Sequence, residues 1–240
     1  MEITRENAEH LQRVRALNTK LSKGAEQVLK FLAVAGMGTP EVIAIATGYA
    51  QKTLEYRLLP ELSTLGLIKR WEGRKRTVVF RSNIFVLTNA GTKRAGVKRR
   101  KVSFFVNLWH RELISEVIAF FFRRFKEAGE NGENVEIHTE GQWKAFAEQK
   151  WKSTEGLPIP DIFWETGGVL SCVEVETGRS WKRLQEKVLK YNTLRDKYEG
   201  TLNVIFIFQG LKNKRKKENF EKRFEKVKPL IKFAYVLKTI

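Results

Sequence analysis

Apolar residues recur every three or four positions early in the chain, a spacing that predicts short amphipathic helices. The first is expected to begin at Ser22 and to end at Gly36, and the second to begin at Thr39 and to end at Gly48. Ser and Thr side chains accept hydrogen bonds from the free N–H groups at a helix start, whereas glycine takes the left-handed backbone that ends a helix. Two capped helices are therefore predicted in this region.

A third helix and a basic hairpin are predicted next. Leucines recur at helical spacing over residues 51–65, where Pro60 is expected to bend the helix. Two strand-like runs, residues 67–71 and 77–80, flank a short basic turn. Whether the second strand continues through a bulge to Val86 stays open. The order is therefore three helices followed by a hairpin.

The second half of the chain alternates between helical and strand patterns. The β-branched and aromatic residues of 202–208 predict a strand covered on both faces, and Gly167-Gly168 between two alternating runs predicts a hairpin. The patterns predict an α/β (α+β) domain, with a mixed sheet and flanking helices. The predicted order α-β-β-β-α-β-α-β corresponds to residues 108–128, 134–138, 159–165, 169–176, 179–198, 202–208, 216–227 and 232–237.

Basic residues strongly outnumber acidic residues. The 240-residue chain carries 45 Lys and Arg against 27 Asp and Glu, a formal net charge of +18. Residues 67–101 hold 12 basic residues and one acidic, and residues 212–228 hold 9 basic and 3 acidic. Such clusters favour a polyanion, double-stranded DNA, over a membrane surface, because neither stretch has bulky apolar anchors. The alternative is a solvated face that keeps the protein in solution.

Composition excludes several other classes of protein. With a single cysteine, Cys172, the chain has neither a disulfide framework nor a cysteine-based zinc finger, and the cytoplasm is the predicted compartment. The charged start lacks the apolar core of a signal peptide, and no stretch is apolar enough for a membrane span. The chain has no GxxxxGK[ST] run, which disfavours an ATP-driven motor.

Carboxylates are the candidate chemistry of the second half. In a hairpin closed by Gly167-Gly168, Asp161 pairs with Glu174, and Glu176 lies on the same strand face two residues later. Facing carboxylates repel each other, and a hard divalent ion, Mg²⁺ or Mn²⁺, relieves the repulsion. A shift in strand register would instead turn these side chains to solvent. The spacing thus predicts either a metal site or an ordinary hairpin.

Residues 22–97 resemble a winged helix-turn-helix. The resemblance lies in the order of elements and in two phrases, LSTLGLIKR at residues 62–70 and LTNAG at residues 87–91. In that family the third helix enters the DNA major groove and the wing follows the adjacent backbone. A dimerisation or docking module is the alternative. Candidate DNA-contacting residues in this region, in the basic joint after it and on a later helix are Lys52, Thr53, Arg57, Lys69, Arg70, Arg74, Lys75, Arg76, Arg81, Lys98, Arg99, Arg100, Lys101, Arg179 and Lys182.

The second half resembles the PD-(D/E)XK nuclease fold of restriction enzymes and resolvases. This resemblance rests on Pro160-Asp161, twelve intervening residues and then Glu174-Val175-Glu176. The chain is more closely similar to the replication-relaxation family of plasmid and mobile-element proteins, in which a winged helix precedes such a domain. The residues that also carry this closer similarity are His110, Glu116, Gly178, Lys187 and Tyr191.

The patterns predict three parts, with the domain boundary at the basic joint of residues 98–101, and the resemblance implies a set of site residues. The parts are an N-terminal helical extension over residues 1–21, a winged-helix DNA-binding domain with basic linker over 22–101, and a restriction-endonuclease-like domain over 102–240. The nuclease family implies that Asp161 and Glu174 bind the metal and that Glu116 completes its shell. Glu176 departs from the family pattern, since active nucleases usually have Lys there. In some branches a lysine of the following helix substitutes, and Lys187 is the candidate here.

Three functions are consistent with these patterns. The first is a DNA-binding endonuclease that uses Mg²⁺ or Mn²⁺ as its cofactor and Glu116, Asp161, Glu174, Glu176 and Lys187 as its catalytic set. The second is a catalytically inactive accessory factor in plasmid replication, relaxation or transfer. The third is a winged-helix transcription regulator. Whether the protein partner is a relaxase, a replication initiator or none stays open, and so does a homodimer.

Overall fold

The computed structural model describes residues 18–71, 83–97, 108–129, 135–176, 181–209 and 231–236. This part of the chain is mixed α/β, as predicted, and it forms two compact units, Met1–Glu133 and Asn134–Ile240. None of its helices is long and apolar enough to cross a membrane. The first unit contains α1 (Lys23–Ala35), α2 (Pro40–Thr47), α3 (Gln51–Thr53), a π-helical turn (Leu54–Leu58), α4 (Leu59–Thr64), β1 (Ile68–Arg70), β2 (Phe85–Leu87), α5 (Asn89–Arg94) and α6 (Leu108–Glu127). The second contains β3 (His138–Thr139), α7 (Glu140–Trp151), β4 (Ile162–Thr166), β5 (Val169–Glu176), α8 (Trp181–Lys197), β6 (Thr201–Gln209) and β7 (Ile231–Val236).

Side-chain oxygens cap the first two helices where the sequence predicted. Ser22 Oγ accepts a hydrogen bond from the Ala25 N–H at 3.2 Å. Thr39 Oγ1 accepts one from the Val42 N–H at 3.4 Å. Ser22 also donates twice to the Glu61 carboxylate, from its N–H at 3.2 Å and from its hydroxyl at 2.9 Å. The start of α1 is therefore tied to α4 as well as capped.

The predicted third helix contains a π turn just before Pro60. The Leu59 N–H donates to the Leu54 carbonyl, five residues back instead of the usual four. Proline has no N–H, and its ring crowds the carbonyl four residues earlier, which accounts for a widened turn at this point. Leu54 and Leu58 stay buried, while Tyr56 is 80% exposed. The helix thus keeps its apolar side inward although its hydrogen-bond pattern is interrupted.

The two strands after this helix pair differently from the prediction. β1 pairs antiparallel with β2, with Lys69 opposite Val86, whereas the sequence favoured residues 77–80 as the returning strand. Gly38, between α1 and α2, adds a bridge to Phe85 through hydrogen bonds of 3.1 and 2.9 Å. The predicted returning strand and the basic turn before it lie outside the described residues. The extension to Val86, which the sequence left open, is the part that pairs.

Helix α6 belongs to the first unit, although the sequence predicted it to lead the second. Ser115 Oγ donates to the Met37 carbonyl at 2.7 Å, and the Phe122 ring meets the Phe31 ring edge-on at 5.8 Å. These contacts hold α6 against α1 and the segment that follows it. The boundary between the units therefore lies after α6. It had been predicted at the basic joint of residues 98–101.

The described part of the second unit is built on a five-stranded mixed sheet in the order β3-β4-β5-β6-β7. β4 pairs antiparallel with β3 and with β5, whereas β6 pairs parallel with β5 and with β7. Parallel neighbours need a crossover connection, and α8 lies in the one between β5 and β6. β5 is the central strand, and its residues from Leu170 to Val175 are all buried.

An apolar cluster joins this sheet to α7 and α8. Leu170 and Cys172 of β5 belong to it together with Trp143 of α7 and Val188 of α8. Helix α7 was not predicted from the sequence. Side chains alternate along a strand, so Glu174 points to the same face of the sheet as Leu170 and Cys172. A carboxylate is thereby placed in the apolar layer between the sheet and its helices.

Candidate functional site

Asp161 and Glu174 lie opposite each other at one end of the hairpin formed by β4 and β5. The register pairs Ile162 with Val173, so the next pair outward is Asp161 and Glu174, as predicted. The Asp161 N–H donates to the Val173 carbonyl at 3.1 Å, and Asp161 Oδ2 accepts a hydrogen bond from the Val175 N–H at 2.8 Å. The backbone of β5 therefore fixes this carboxylate beside Glu174.

Burial determines the electrostatics of Glu174. Its side chain is 1% exposed, and the loss of water disfavours the charged form of a carboxyl group. Burial, reinforced by the negative charge of Asp161, raises the pKa of Glu174 to about 7, although Lys187 and Tyr191 act in the opposite direction. Glu174 therefore holds a proton more tightly than an ordinary surface glutamate does.

Lys187 of α8 places an ammonium group between two carboxylates. Its Nζ lies 2.6 Å from Glu174 Oε2 and 2.6 Å from Glu176 Oε1. Burial acts to lower the pKa of Lys187, but the two carboxylates outweigh it and raise that pKa above its usual range. Lys187 is therefore charged and compensates the carboxylates, and the predicted lysine of the following helix does reach the acid pair.

Tyr191 lies one helical turn after Lys187. Its hydroxyl donates to Glu174 Oε1 at 2.6 Å, and the residue is 2% exposed. Burial, followed by the charge of Glu174, raises the pKa of Tyr191 well above its usual value, so the hydroxyl remains a donor. From the sequence, Tyr191 was a candidate only through a family resemblance, and no role was predicted for it. The available signal was its spacing of four residues from Lys187, which places both on one helix face.

Five side chains of the second unit thus meet in one place, which we call the acidic cluster: Asp161, Glu174, Glu176, Lys187 and Tyr191. No family model, curated protein or solved structure matches the chain. The chemistry of the acidic cluster, together with the exposed cations of the chain, is therefore the basis for assigning a function.

The residues brought together differ from the predicted metal shell at one position. Glu116, predicted as a third ligand, lies on α6 in the first unit, so it is not among the residues that the second unit assembles. Within the described ranges, no group of three or more His, Cys, Asp or Glu side chains is arranged to hold a metal ion.

The donor set of the acidic cluster suits such a cation. Asp161 and Glu174 supply carboxylate oxygens, and Mg²⁺ is commonly held in proteins by one or two carboxylates, with water and substrate phosphate completing its shell. These two residues therefore fit Mg²⁺ or Mn²⁺. Both oxygens of Glu174, however, already accept hydrogen bonds, one from Lys187 and one from Tyr191.

The predicted DNA-contacting residues divide into a described and an undescribed set. On the third helix, on β1 and at the start of α8, the exposed cations are Lys52, Arg57, Lys69, Arg70 and Lys182, and Thr53 beside them is half-buried. Their exposure leaves them accessible to a polyanion. The others lie outside the described residues: Arg74, Lys75, Arg76, Arg81, Lys98, Arg99, Arg100, Lys101 and Arg179.

Proposed function

We propose that this protein binds double-stranded DNA and cleaves its phosphodiester backbone with a divalent metal. The observation that carries the proposal is the buried acid pair of Asp161 and Glu174, with the Lys187 ammonium 2.6 Å from Glu174. Two facing carboxylates are costly to bury in a sheet, so their presence calls for a reason beyond stability. Phosphodiester cleavage needs a metal that polarises the phosphoryl oxygen and a positive group near the developing charge, and such a pair beside Lys187 could supply both.

Each residue of the acidic cluster has a role in this proposal. Asp161 and Glu174 would hold Mg²⁺ or Mn²⁺, which when bound polarises a phosphoryl oxygen and lowers the pKa of an attacking water. Lys187 is positioned to stabilise the negative charge that develops on the phosphate. Glu176 accepts a hydrogen bond from Lys187, and Tyr191 orients Glu174 through its hydroxyl.

The first unit supports the DNA-binding part of the proposal. Its three helices, the bridge from Gly38 to Phe85 and the pair of β1 and β2 follow one another in the order of a winged helix-turn-helix. Lys52 and Arg57 are exposed on the third helix, which enters the major groove in that family. The net charge of +18 favours phosphate contacts.

The second unit supports the nuclease part by its topology. An antiparallel hairpin carries the acid pair, and a helix then connects its second strand to a parallel neighbour. This is the order implied by the resemblance to PD-(D/E)XK nucleases and to the replication-relaxation family. Membership in that family is part of the proposal. Whether the protein partner is a relaxase, a replication initiator or none stays open, and so does a homodimer.

Cleavage of supercoiled plasmid tests the proposal. With Mg²⁺ or Mn²⁺ at low salt, the parent protein is expected to produce nicked or linear DNA. Asp161→Asn keeps the shape of the side chain and an acceptor for the Val175 N–H, but it removes the charge that would hold the metal. We expect it to lower the cleavage rate by about 100-fold or more, because a lost metal ligand removes several kcal/mol of transition-state stabilisation.

Glu148→Gln is the matched control for this experiment. It also removes one negative charge from the second unit, but from an exposed side chain of α7, so its cleavage rate is expected to equal that of the parent. Cleavage that persists in Asp161→Asn would contradict the proposal. Plasmid that the parent protein retards but does not cut would favour the inactive accessory factor, to which Glu176 at the usual lysine position points.

A second prediction concerns Arg57 on the third helix. Arg57→Ala is expected to weaken duplex binding and to reduce its salt dependence, since each neutralised phosphate contributes about 0.9 to the slope of log affinity against log salt. Fluorescence anisotropy at several salt concentrations measures that slope. Arg123→Ala removes the same charge from α6, where the side chain is 61% exposed and paired with Glu127, and should leave the slope unchanged. Equal slopes for Arg57→Ala and the parent would remove Arg57 from the DNA-contacting set.

A further inference from the structure

The ammonium group of Lys187 already occupies the place of a bound cation in the acidic cluster. It lies 2.6 Å from one oxygen of Glu174 and 2.6 Å from one oxygen of Glu176. The other oxygen of Glu174 accepts a hydrogen bond from Tyr191 at 2.6 Å. Within this arrangement Glu174, 1% exposed, has both oxygens engaged by protein donors. A metal ion that binds Glu174 therefore meets an occupied carboxylate.

A divalent ion and the Lys187 ammonium compete for the same oxygen. Mg²⁺ binds carboxylate oxygens at about 2.1 Å, so an ion on Glu174 Oε2 would lie next to an ammonium group that is 2.6 Å from the same oxygen. Two cations held this close in a buried site repel each other strongly, because the low dielectric of the interior does not screen them. Lys187 is 35% exposed, so its side chain has a route toward solvent.

Building on the proposed function, we infer that Lys187 is the resident cation of the acidic cluster and that a divalent metal binds Glu174 only after Lys187 has left it. The site is then closed to metal in the resting protein by its own lysine. A DNA phosphate offers Lys187 another anion, so DNA binding and metal binding favour each other. Lys187 thus acts as a positioning residue before the reaction and reaches the phosphate only when the metal is bound.

Metal affinity, measured without DNA, tests this inference. Free Mn²⁺ is followed by electron paramagnetic resonance at pH 8 for the parent protein, Lys187→Met, Lys190→Met and Asp161→Asn. Removing a competitor that fills the site about nine-tenths of the time raises the apparent affinity about tenfold, and this is the expected result for Lys187→Met. Lys190, exposed on the same helix, is the matched control, and its replacement should leave the affinity unchanged. Asp161→Asn should lose the site.

A second measurement uses the parent protein, in case Lys187→Met does not fold. Lysine acetylation, read residue by residue by mass spectrometry, reports how available each ammonium group is. Saturating Mn²⁺ is expected to increase the acetylation rate of Lys187 at least about fivefold, because its release from Glu174 and Glu176 exposes it. Lys190 should be acetylated at the same rate with and without Mn²⁺.

The outcomes separate this inference from the proposed function. An unchanged Mn²⁺ affinity in folded Lys187→Met, or an unchanged Lys187 acetylation rate in protein that holds Mn²⁺, would overturn the inference even if plasmid is cut. The absence of Mn²⁺ binding to both the parent and Lys187→Met would overturn it as well. If Mn²⁺ binds and releases Lys187 but plasmid remains uncut, the inference stands and the proposed cleavage activity fails.

Discussion

Replacing Lys187 by Met is expected to destabilise the second unit by about 3 kcal/mol at pH 8. Removing one partner of a buried ion pair typically costs about 3–5 kcal/mol, because it leaves the other charge buried without compensation. The low end of that range applies here, since Lys187 is 35% exposed whereas Glu174 is 1% exposed. Without the ammonium group, Glu174 faces Asp161 across the hairpin, and the Tyr191 hydroxyl is the side-chain donor that remains to it among the described residues.

The expected loss depends on pH because Glu174 can take up a proton instead. Its pKa of about 7 means that Glu174 in the folded protein is mostly neutral at pH 5, where a missing ammonium group matters less. Urea unfolding at pH 5 and pH 8 therefore should show a much smaller loss at the lower pH. Lys190→Met, which changes an exposed lysine of the same helix, is expected to stay within about 0.5 kcal/mol at both. An equal loss for Lys187→Met at both pH values would mean that its aliphatic chain, not its charge, stabilises the unit.

Local signals predicted much of the fold. The caps at Ser22 and Thr39 were predictable because a side-chain oxygen three residues before a free N–H is a property of sequence spacing alone. The two-glycine turn fixed the register of β4 and β5 for the same reason, since a hairpin turn determines which residues pair. These features need no knowledge of the rest of the chain.

Long-range packing accounts for the predictions that differ from the structure. An apolar stripe predicts that α6 is a helix with a buried side, but it does not say which partner covers it. The structure places α1 and α2 there, through contacts such as Phe122 on Phe31. The predicted hairpin partner of β1 was likewise chosen by proximity in sequence, whereas β1 pairs with the more distant β2.

Helix α7 was missed although a weak signal was present. Its buried residues Trp143 and Ala147 are four apart, and Trp151 follows at the same interval, as one face of a helix requires. Polar and charged residues at most of the other positions hid that pattern.

The acidic cluster was predictable in part for the same reasons. Asp161 opposite Glu174 follows from the turn, and Lys187 and Tyr191 share a helix face because four residues separate them. What the sequence did not indicate is that Lys187 bridges Glu174 and Glu176, since that depends on how α8 lies on the sheet. Glu116 was expected beside them through resemblance alone, and the structure assigns its helix to the first unit.

As the pH rises from 4.5 to 7.5, the parent protein is expected to lose about 3 kcal/mol of stability. Glu174→Gln is expected to abolish this loss. The pKa of Glu174 is raised from 4.5 to about 7, so the folded protein binds this proton more tightly than the unfolded chain does. Protonation therefore stabilises the fold below pH 4.5, and this stabilisation is lost as the pH rises through about 7. Glutamine is neutral at every pH and keeps the side-chain size, so the variant lacks this change.

The contribution of Glu165 to stability is expected to change with pH in the opposite direction. Glu165→Gln is therefore the control for a local charge effect. Glu165 Oε1 accepts hydrogen bonds from Lys150 at 2.6 Å and Tyr198 at 2.8 Å, and these outweigh burial and lower the pKa of Glu165. A carboxylate with a lowered pKa contributes stability that is present at neutral pH and lost as the pH falls. Urea unfolding from pH 4.5 to 7.5 gives the free energy of unfolding of the parent and of each variant. As the pH rises, the parent's value minus the variant's value should fall for Glu174→Gln. The same difference should rise for Glu165→Gln. If both stability differences change in the same direction with pH, burial beside Asp161 does not control the charge of Glu174. The acid pair would then behave like ordinary paired carboxylates.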